Sequence, residues 1–482
     1  MISRMLIPIL ALLLCLHAVH AAPAFTVTSG PAAHAVLPCG ADGYAAVQIA
    51  GTAPDDAAIT LTLEHSEDST LVAETQTAAA DGGWEVTLGD APAGGPYRLI
   101  AVPEGNEDAA HVVEPLWAGD LWILAGQSNM QGVGNMDDDV TPPHPMVQVF
   151  AMNDRWRPAE EPLHRLGESV DPVHNLNNFE WAREGNEIDV TGQTKGSGLG
   201  LAFAHKLAEA NGRPIGLVPC AHGGTSMVQW DPVFIDEEGD SLYGAMIRRA
   251  EAAGGKIRGV LWYQGESDAA PERAVEYMDK LLGFVEALRR DLDNPDLPFY
   301  YVQIGAHAVE LPSYGWDMVQ TAQLEAESAM TNAAMVASID LPLDDPIHIG
   351  RDGLQTLGER LAEAVLRGDA EAGRPAGPRV ERAVREVTPY GARVRVELAH
   401  ADGGLTADGA VSGFSLYNEA DEPLPVFRQE LASDDSNAVL LWALNLPEEG
   451  AQLWYGRGLH PLCTVRDAAH RGLPVTGPVA VE

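Results

Sequence analysis

Hydrophobic and polar positions change their period twice along the chain. From residue 23 to about 115 they alternate in short runs broken by turn residues. Runs 57–63, 83–88 and 97–102 read as strands, and Asp81-Gly82-Gly83 is a turn signal. No helical periodicity of useful length interrupts them, so a small antiparallel sandwich is predicted. From about 120 to 368, five largely apolar strand-like runs (121–125, 215–219, 257–263, 299–304 and 335–339) alternate with helical ones. The helical runs lie near 199–211, 241–253, 271–292 and 316–330, with a last one at 354–366. Apolar strands separated by helices predict a parallel sheet covered on both faces. Residues 368–378 (GDAEAGRPAGP) read as a linker. Strands then return at 380–387, 392–398, 411–417, 425–430, 438–444 and 452–455, a second all-β module.

The first residues follow another pattern. Arg4 precedes an apolar run of 12 residues, Met5 to Leu16, too short to span a bilayer comfortably. Val19-His20-Ala21 places small residues three and one before a cleavage site, so residues 1–21 are predicted to be a secretory signal peptide. No later segment reaches 18 apolar residues. The mature chain is therefore expected to be secreted or periplasmic, with no membrane attachment after cleavage. The expected organisation is signal 1–21, β-sandwich (Ig-like) 22–115, α/β domain 116–370, linker 371–378 and β-domain 379–482.

Composition narrows the partners. Among 482 residues, 70 acids face 30 bases, a formal charge of −40, and only four of the bases are Lys. Residues 23–115 hold 14 acids and a single base, Arg98. Phosphate binding needs clustered Lys and Arg, so nucleic acid is excluded as a partner. Three cysteines remain after signal removal, Cys39, Cys220 and Cys463. An odd count allows one disulfide at most, and three buried small side chains are the simpler expectation.

The chemistry gathers where the middle strands end, the edge on which ligands of such sheets collect. The first strand leads into Gly126-Gln127-Ser128-Asn129-Met130, and the second into His222-Gly223-Gly224-Thr225. The third ends in Trp262-Tyr263-Gln264-Gly265-Glu266-Ser267-Asp268, and the fifth leads to Asp344-Asp345-Pro346-Ile347-His348. A hydroxyl, a glycine loop, an amide, a carboxylate and an imidazole form the inventory for acyl transfer by a serine nucleophile. Asp345 lies three residues before His348, a spacing that lets a carboxylate reach Nδ1 in a tight turn. Asp340 and Asp344 remain rivals for that role.

Together these blocks strongly resemble the SGNH-type hydrolases, and within them the sialate O-acetylesterase and acetyl-xylan-esterase branch. GQSNM, HGGT, WYQGESD and DxxH occur in the family's order over about 230 residues. The flanks DGGWEVTL, GGPYRL and AGDLWIL before the first block, and VSGFSLYNE and AQLWYGRG in the tail, resemble the family's β-modules. The resemblance implies an α/β fold: a flavodoxin-like three-layer parallel-sheet core flanked by two β-sandwich-like modules. It implies Ser128 as nucleophile, His348 as base and then acid, and Asp345 as its orienting carboxylate. The oxyanion hole would combine the N–H groups of Ser128 and Gly224 with the Gln264 side chain, Gly223 being an alternative donor. Gln127, Asn129, Thr225, Trp230 and Glu266 are the expected substrate contacts, and no cofactor or metal is implied.

The expected activity is hydrolysis of O-acetyl esters on a sugar or glycan through an acetyl-enzyme. A polysaccharide acetylesterase with the same site is the alternative, and a carbohydrate-binding protein with a dead site the non-enzymatic one. Other chemistries fit less well. A G-x-S-x-G elbow is absent because position 130 is Met. Glu266 and Asp268 lie too close in sequence to flank a glycosidic bond. Asp137-Asp138-Asp139 lacks the alternation of a calcium loop, and no HExxH occurs. Trp262 is expected in the core, as are Trp442 and Trp454 of the tail. Losing Arg4 with the signal takes the charge to −41, which weighs modestly toward neutral glycans over sialylated ones.

Overall fold

A computed structural model describes residues 24–136, 141–309 and 314–482. The expected signal peptide and Asp137–Asp139 lie outside the described residues.

The centre is a parallel sheet of largely apolar strands, and in Ile215–Pro219 and Phe299–Val302 every residue is buried. The five expected strands appear in the spatial order 215–219, 111–126, 257–263, 299–302, 333–336. In chain order these five run 2-1-3-4-5, so the direction of winding reverses at the central strand. A sixth parallel strand, Val147–Phe150, extends the edge beyond Ile215–Pro219, with Trp156–Pro158 antiparallel outside it. Because the chain first moves one way from the central strand and then the other, right-handed crossovers put helices on both faces. Gly200–Asn211 accordingly packs with Arg351–Leu366, and Tyr277–Asp291 with Tyr314–Ala329. The expected helix 271–292 divides into Pro271–Ala274 and Tyr277–Asp291.

The boundary expected between residues 115 and 116 falls inside one continuous strand, His111–Gly126. Its first half pairs with Gly94–Pro103 of the N-terminal module, and its second half is the central strand of the parallel sheet. In the N-terminal module the three-stranded sheet Thr26–Ser29, Tyr44–Thr52, Gly83–Pro92 faces a second sheet centred on Ala58–His65. Val47, Ile49, Leu61, Leu63, Trp84 and Leu99 fill the space between them.

Residues 368–378 turn against the central domain, where Ala370 and Ala376 are buried in its core. Two four-stranded antiparallel sheets follow, built around Arg379–Thr388, Gly391–Ala399, Ala438–Ala443 and Val426–Leu431 on one side. The other holds Phe414–Tyr417, Gln452–Tyr455 and Thr476–Ala480. Their shared core includes Ala306 and Ile339 of the central domain. A buried ion cluster reinforces the junction: Asp340 accepts from Arg360 (2.8 and 2.6 Å) and from Arg466 (2.5 Å). Trp442 and Trp454, expected in the sandwich core, instead stand half-buried on outward faces, with Arg393 over one ring and Arg457 over the other. Cys39, Cys220 and Cys463 belong to three different apolar clusters and are all free thiols. Among the described residues, no helix is long and apolar enough to cross a membrane.

Candidate active site

The central strand ends on Gly126, at φ +135°. A Cβ there would lie 2.1 Å from the Tyr263 carbonyl oxygen, so only glycine lets the two central strands stay in contact while the chain turns. Gln127 remains extended, and a four-residue helix, Ser128–Gln131, follows it. Ser128 is thus the first helical residue at the carboxyl edge of the sheet, partly exposed, with an N–H that has no acceptor inside the helix.

From the far side of the sheet, the segment after Ala333–Val336 folds into a tight loop. Asp344 N–H donates to the His348 carbonyl (2.9 Å), and Gly350 N–H to that of Pro342 (3.0 Å). Asp345 caps the turn: its Oδ1 accepts from Ile347 N–H (3.0 Å) and His348 N–H (2.9 Å). The same carboxylate accepts from the His348 ring, with Nδ1 2.8 Å from Oδ2 and 3.0 Å from Oδ1. On the opposite side of the ring, Nε2 lies 2.9 Å from Ser128 Oγ. A carboxylate at Nδ1 keeps the proton there, which leaves Nε2 free to accept from the serine hydroxyl. Burial pushes the Asp345 carboxyl up, but hydrogen bonds from Ile347 N–H, the His348 ring and His348 N–H outweigh it and hold it below its ordinary range. The rival carboxylates are occupied elsewhere. Asp340 is locked with its two arginines, and Asp344 Oδ2 accepts from Asn135 N–H at 3.3 Å.

The glycine loop closes over the nucleophile. A Cβ on Gly223 would come within 3.5 Å of Ser128 Cβ. Gly223 N–H donates to Gln131 Oε1 at 2.8 Å, whereas Gly224, at φ +72°, has an N–H that makes no hydrogen bond among the described residues. Of the two glycines, Gly224 therefore carries the available donor. Behind the loop, His222 N–H donates to the Gly126 carbonyl (3.0 Å), and its ring meets that of His174, Nδ1 to Nδ1 at 3.0 Å. Burial pushes both imidazoles down, most strongly His174, so the pair is neutral near pH 7, one ring donating and the other accepting.

A hydroxyl, an imidazole and a carboxylate hydrogen-bonded in line are groups that can serve acyl transfer. Residues 118–367 match the family described as "Carbohydrate esterase, sialic acid-specific acetylesterase". The chain belongs to this carbohydrate esterase family. It is 32% identical over 284 residues to a probable carbohydrate esterase of Arabidopsis thaliana, covering 54% of this chain and 95% of that one. It is 26% identical over 240 residues to human sialate O-acetylesterase, covering 44% of this chain and 43% of the human protein. In overall fold it resembles a carbohydrate acetylesterase of Xanthomonas citri, with a TM-score of 0.62 at 21% identity over 92% of this chain and 97% of that one.

The esterase departs from the sequence reading in its inner shell. Gln264 is fully buried, and its amide donates both hydrogens internally, to Asp268 Oδ2 (2.6 Å) and the Thr225 carbonyl (3.1 Å). It has no N–H left for an oxyanion. The expected substrate contacts also turn inward. Gln127 Oε1 accepts from the N–H groups of Gly265 (3.4 Å) and Ser267 (3.2 Å). Asn129 is buried and bonded to Glu266 Oε1 (2.7 Å). The Thr225 hydroxyl donates to the His222 carbonyl (2.7 Å) and accepts from the Trp230 indole (3.0 Å). Trp230 is 0% exposed, wedged edge-on against Trp262 and Phe284, so it offers no face to a sugar. These residues build the site's floor. The sequence reading passed over Gln131, which silences Gly223, and weighed Asp268 only as half of a glycosidase pair, whereas that carboxylate holds Met227 N–H (2.9 Å) and Gln264. It gave no role to Lys195 either, whose Nζ stands 4.0 Å from Asp345 Oδ2. No spacing signal marks Gln131 or Lys195, and Asp268 is marked only as the end of its block. Among the described residues, no group of three His, Cys, Asp or Glu side chains is arranged to hold a metal ion.

Proposed function

We propose that this esterase is an exported serine hydrolase that removes O-acetyl groups from carbohydrates through an acetyl-enzyme. The observation that carries the reading is the continuous relay Ser128 Oγ–His348 Nε2 (2.9 Å) and His348 Nδ1–Asp345 Oδ2 (2.8 Å), part-exposed at a sheet edge. In the first half, Ser128 Oγ attacks the acetyl carbonyl carbon while His348 Nε2 takes the hydroxyl proton. The carbonyl electrons move to oxygen, and the N–H groups of Ser128 and Gly224 are the donors available to that charge. Each preset donor is worth about 10²–10³ in rate. Collapse breaks the bond to the sugar oxygen, which leaves with the proton from His348. In the second half, water attacks the acetyl-Ser128 ester with His348 again as base, releasing acetate and restoring the serine. Asp345 stabilises the imidazolium in both halves.

The name of the matched family and of the human relative point to O-acetylated sialic acid as substrate. The chain's charge of −40 favours a neutral acetylated polysaccharide instead. Acetate release from O-acetyl sialic acid and from acetyl-xylan, measured side by side, decides between them. Release from neither, with 4-nitrophenyl acetate also untouched, overturns the esterase reading for these substrates. Export is tested separately: the mature protein should begin at Ala22.

A further inference from the structure

We propose that Glu266 is a positioning residue for the Ser128–His348 pair, acting through Asn129; this rests on the serine-hydrolase reading above. The nucleophile and the base come from segments 220 residues apart in sequence, one on a four-residue helix and the other on a loop. The loop's own bonds, Asp344 to His348 and Ala308 N–H to the Pro346 carbonyl (2.6 Å), shape it without referring it to Ser128. Asn129 supplies that reference. It directly follows Ser128, its Oδ1 accepts from Ile349 N–H (3.1 Å), and its Nδ2 points at the Ile347 carbonyl (3.5 Å). The residue after the nucleophile therefore grips the residues on both sides of the base.

This grip works only in one orientation of the amide. Flipped, Asn129 would set Nδ2 against the Ile349 N–H and Oδ1 against the Ile347 carbonyl, donor on donor and acceptor on acceptor. Glu266 chooses the working orientation, because a carboxylate can only accept: its Oε1 takes Nδ2–H at 2.7 Å. The carboxylate is held at a cost. Its Oε2 is out of contact with solvent and has no hydrogen-bond partner among the described residues, and burial pushes the carboxyl up. The turn that carries it is fixed in place by Gln127 Oε1 through the N–H groups of Gly265 and Ser267. The two side chains flanking Ser128 thus tie three strand ends together, and Glu266 is the acceptor that orients Asn129 in that frame.

The test compares kcat and KM for acetate release by folded wild type, Glu266→Ala, Glu266→Gln, Asn129→Ala and the Glu266→Ala/Asn129→Ala double variant. A displacement of about 1 Å in a reacting pair costs on the order of 100-fold, so Glu266→Ala should lower kcat about 10–100-fold with KM within about twofold. Glu266→Gln keeps the size and an oxygen for Nδ2–H, and should return kcat to within about fivefold of wild type. The double variant should lose no more than the worse single one, as expected for residues acting through one contact. Wild-type kcat in Glu266→Ala, a folded Glu266→Gln as impaired as Glu266→Ala, or multiplied losses in the double variant each overturn the proposal. A Ser128→Ala control separates the two readings. If that variant stays active, the serine mechanism fails; if it is dead while Glu266→Ala is unimpaired, only the brace fails.

Discussion

Replacing Asp345 with asparagine isolates what its charge does, because the turn it caps can survive the change. Oδ1 accepts from the N–H groups of Ile347 and His348, and an amide oxygen in that place keeps both bonds. The amide nitrogen must then occupy the Oδ2 position, 2.8 Å from His348 Nδ1. Two donors cannot face each other, so the imidazole proton moves to Nε2, where it points at Ser128 Oγ and the base is lost. In the serine-protease triad the same change lowers kcat by about 10⁴. Here the Asp345 and His348 side chains are 35% and 23% exposed, so water can partly rescue the productive tautomer. A loss of about 10²–10⁴ in kcat is expected, or about 2.7–5.4 kcal/mol at 1.36 kcal/mol per decade. KM for a small acetyl ester should stay within about threefold, and the unfolding transition should barely move. Asp345→Ala removes the turn's acceptors as well and should lose both activity and stability. The assay is steady-state acetate release beside thermal unfolding of the same preparations. Asp345→Asn turning over within threefold of wild type would refute the reasoning, leaving Asp345 a turn residue only.

Three other outcomes follow from burial and pairing. Gln264→Leu strips Asp268 and the Thr225 carbonyl of a donor, at about 1–3 kcal/mol each, so thermal unfolding should drop along with activity; a pure kcat loss at unchanged stability would restore Gln264 to the oxyanion hole. Trp230→Ala should cost about 3–5 kcal/mol of stability, and a raised KM for sugar esters at unchanged stability would show that the ring meets substrate after all. Asp340→Asn leaves Arg360 buried without its counter-charge and should cost about 3–5 kcal/mol in denaturant unfolding. Burial pushes the Asp340 carboxyl up, but Arg360 and Arg466 outweigh it and hold it below its ordinary range. Its contribution is therefore full above about pH 4 and lost as pH falls through the lowered value, so the wild-type advantage over Asp340→Asn should shrink only below about pH 4.

Strand-end chemistry was legible in the sequence because it depends on residue type and on where an apolar run stops. The runs 215–219 and 257–263 coincide with the strands, and Ser128, Asp345 and His348, 220 residues apart at the extremes, meet in space. Direction was not legible. Gln127, Asn129, Thr225 and Glu266 sit in the expected blocks, but a polar residue beside a nucleophile can face the substrate or brace the floor, and periodicity does not distinguish the two. Trp230 follows the glycine loop by only a few residues, yet its position there says nothing of the Trp262–Phe284 wedge that buries it. Strand Val147–Phe150 escaped notice because it is four residues long, carries Gln148 and lies beside a proline-rich approach. The strand His111–Gly126 hid a domain boundary because its alternating first half and apolar second half look like separate elements. Asp345 was separated from Asp344 only by the turn, in which one carboxylate faces the ring and the other faces Asn135.

Acetate release from an acetylated sugar by wild type and Ser128→Ala, at equal folded concentration, tests the central claim most directly. The side chain is small and part-exposed, so the variant should fold as wild type does. The account predicts a fall in kcat of at least about 10³-fold, with binding of the substrate retained. Turnover by Ser128→Ala within tenfold of wild type would contradict it.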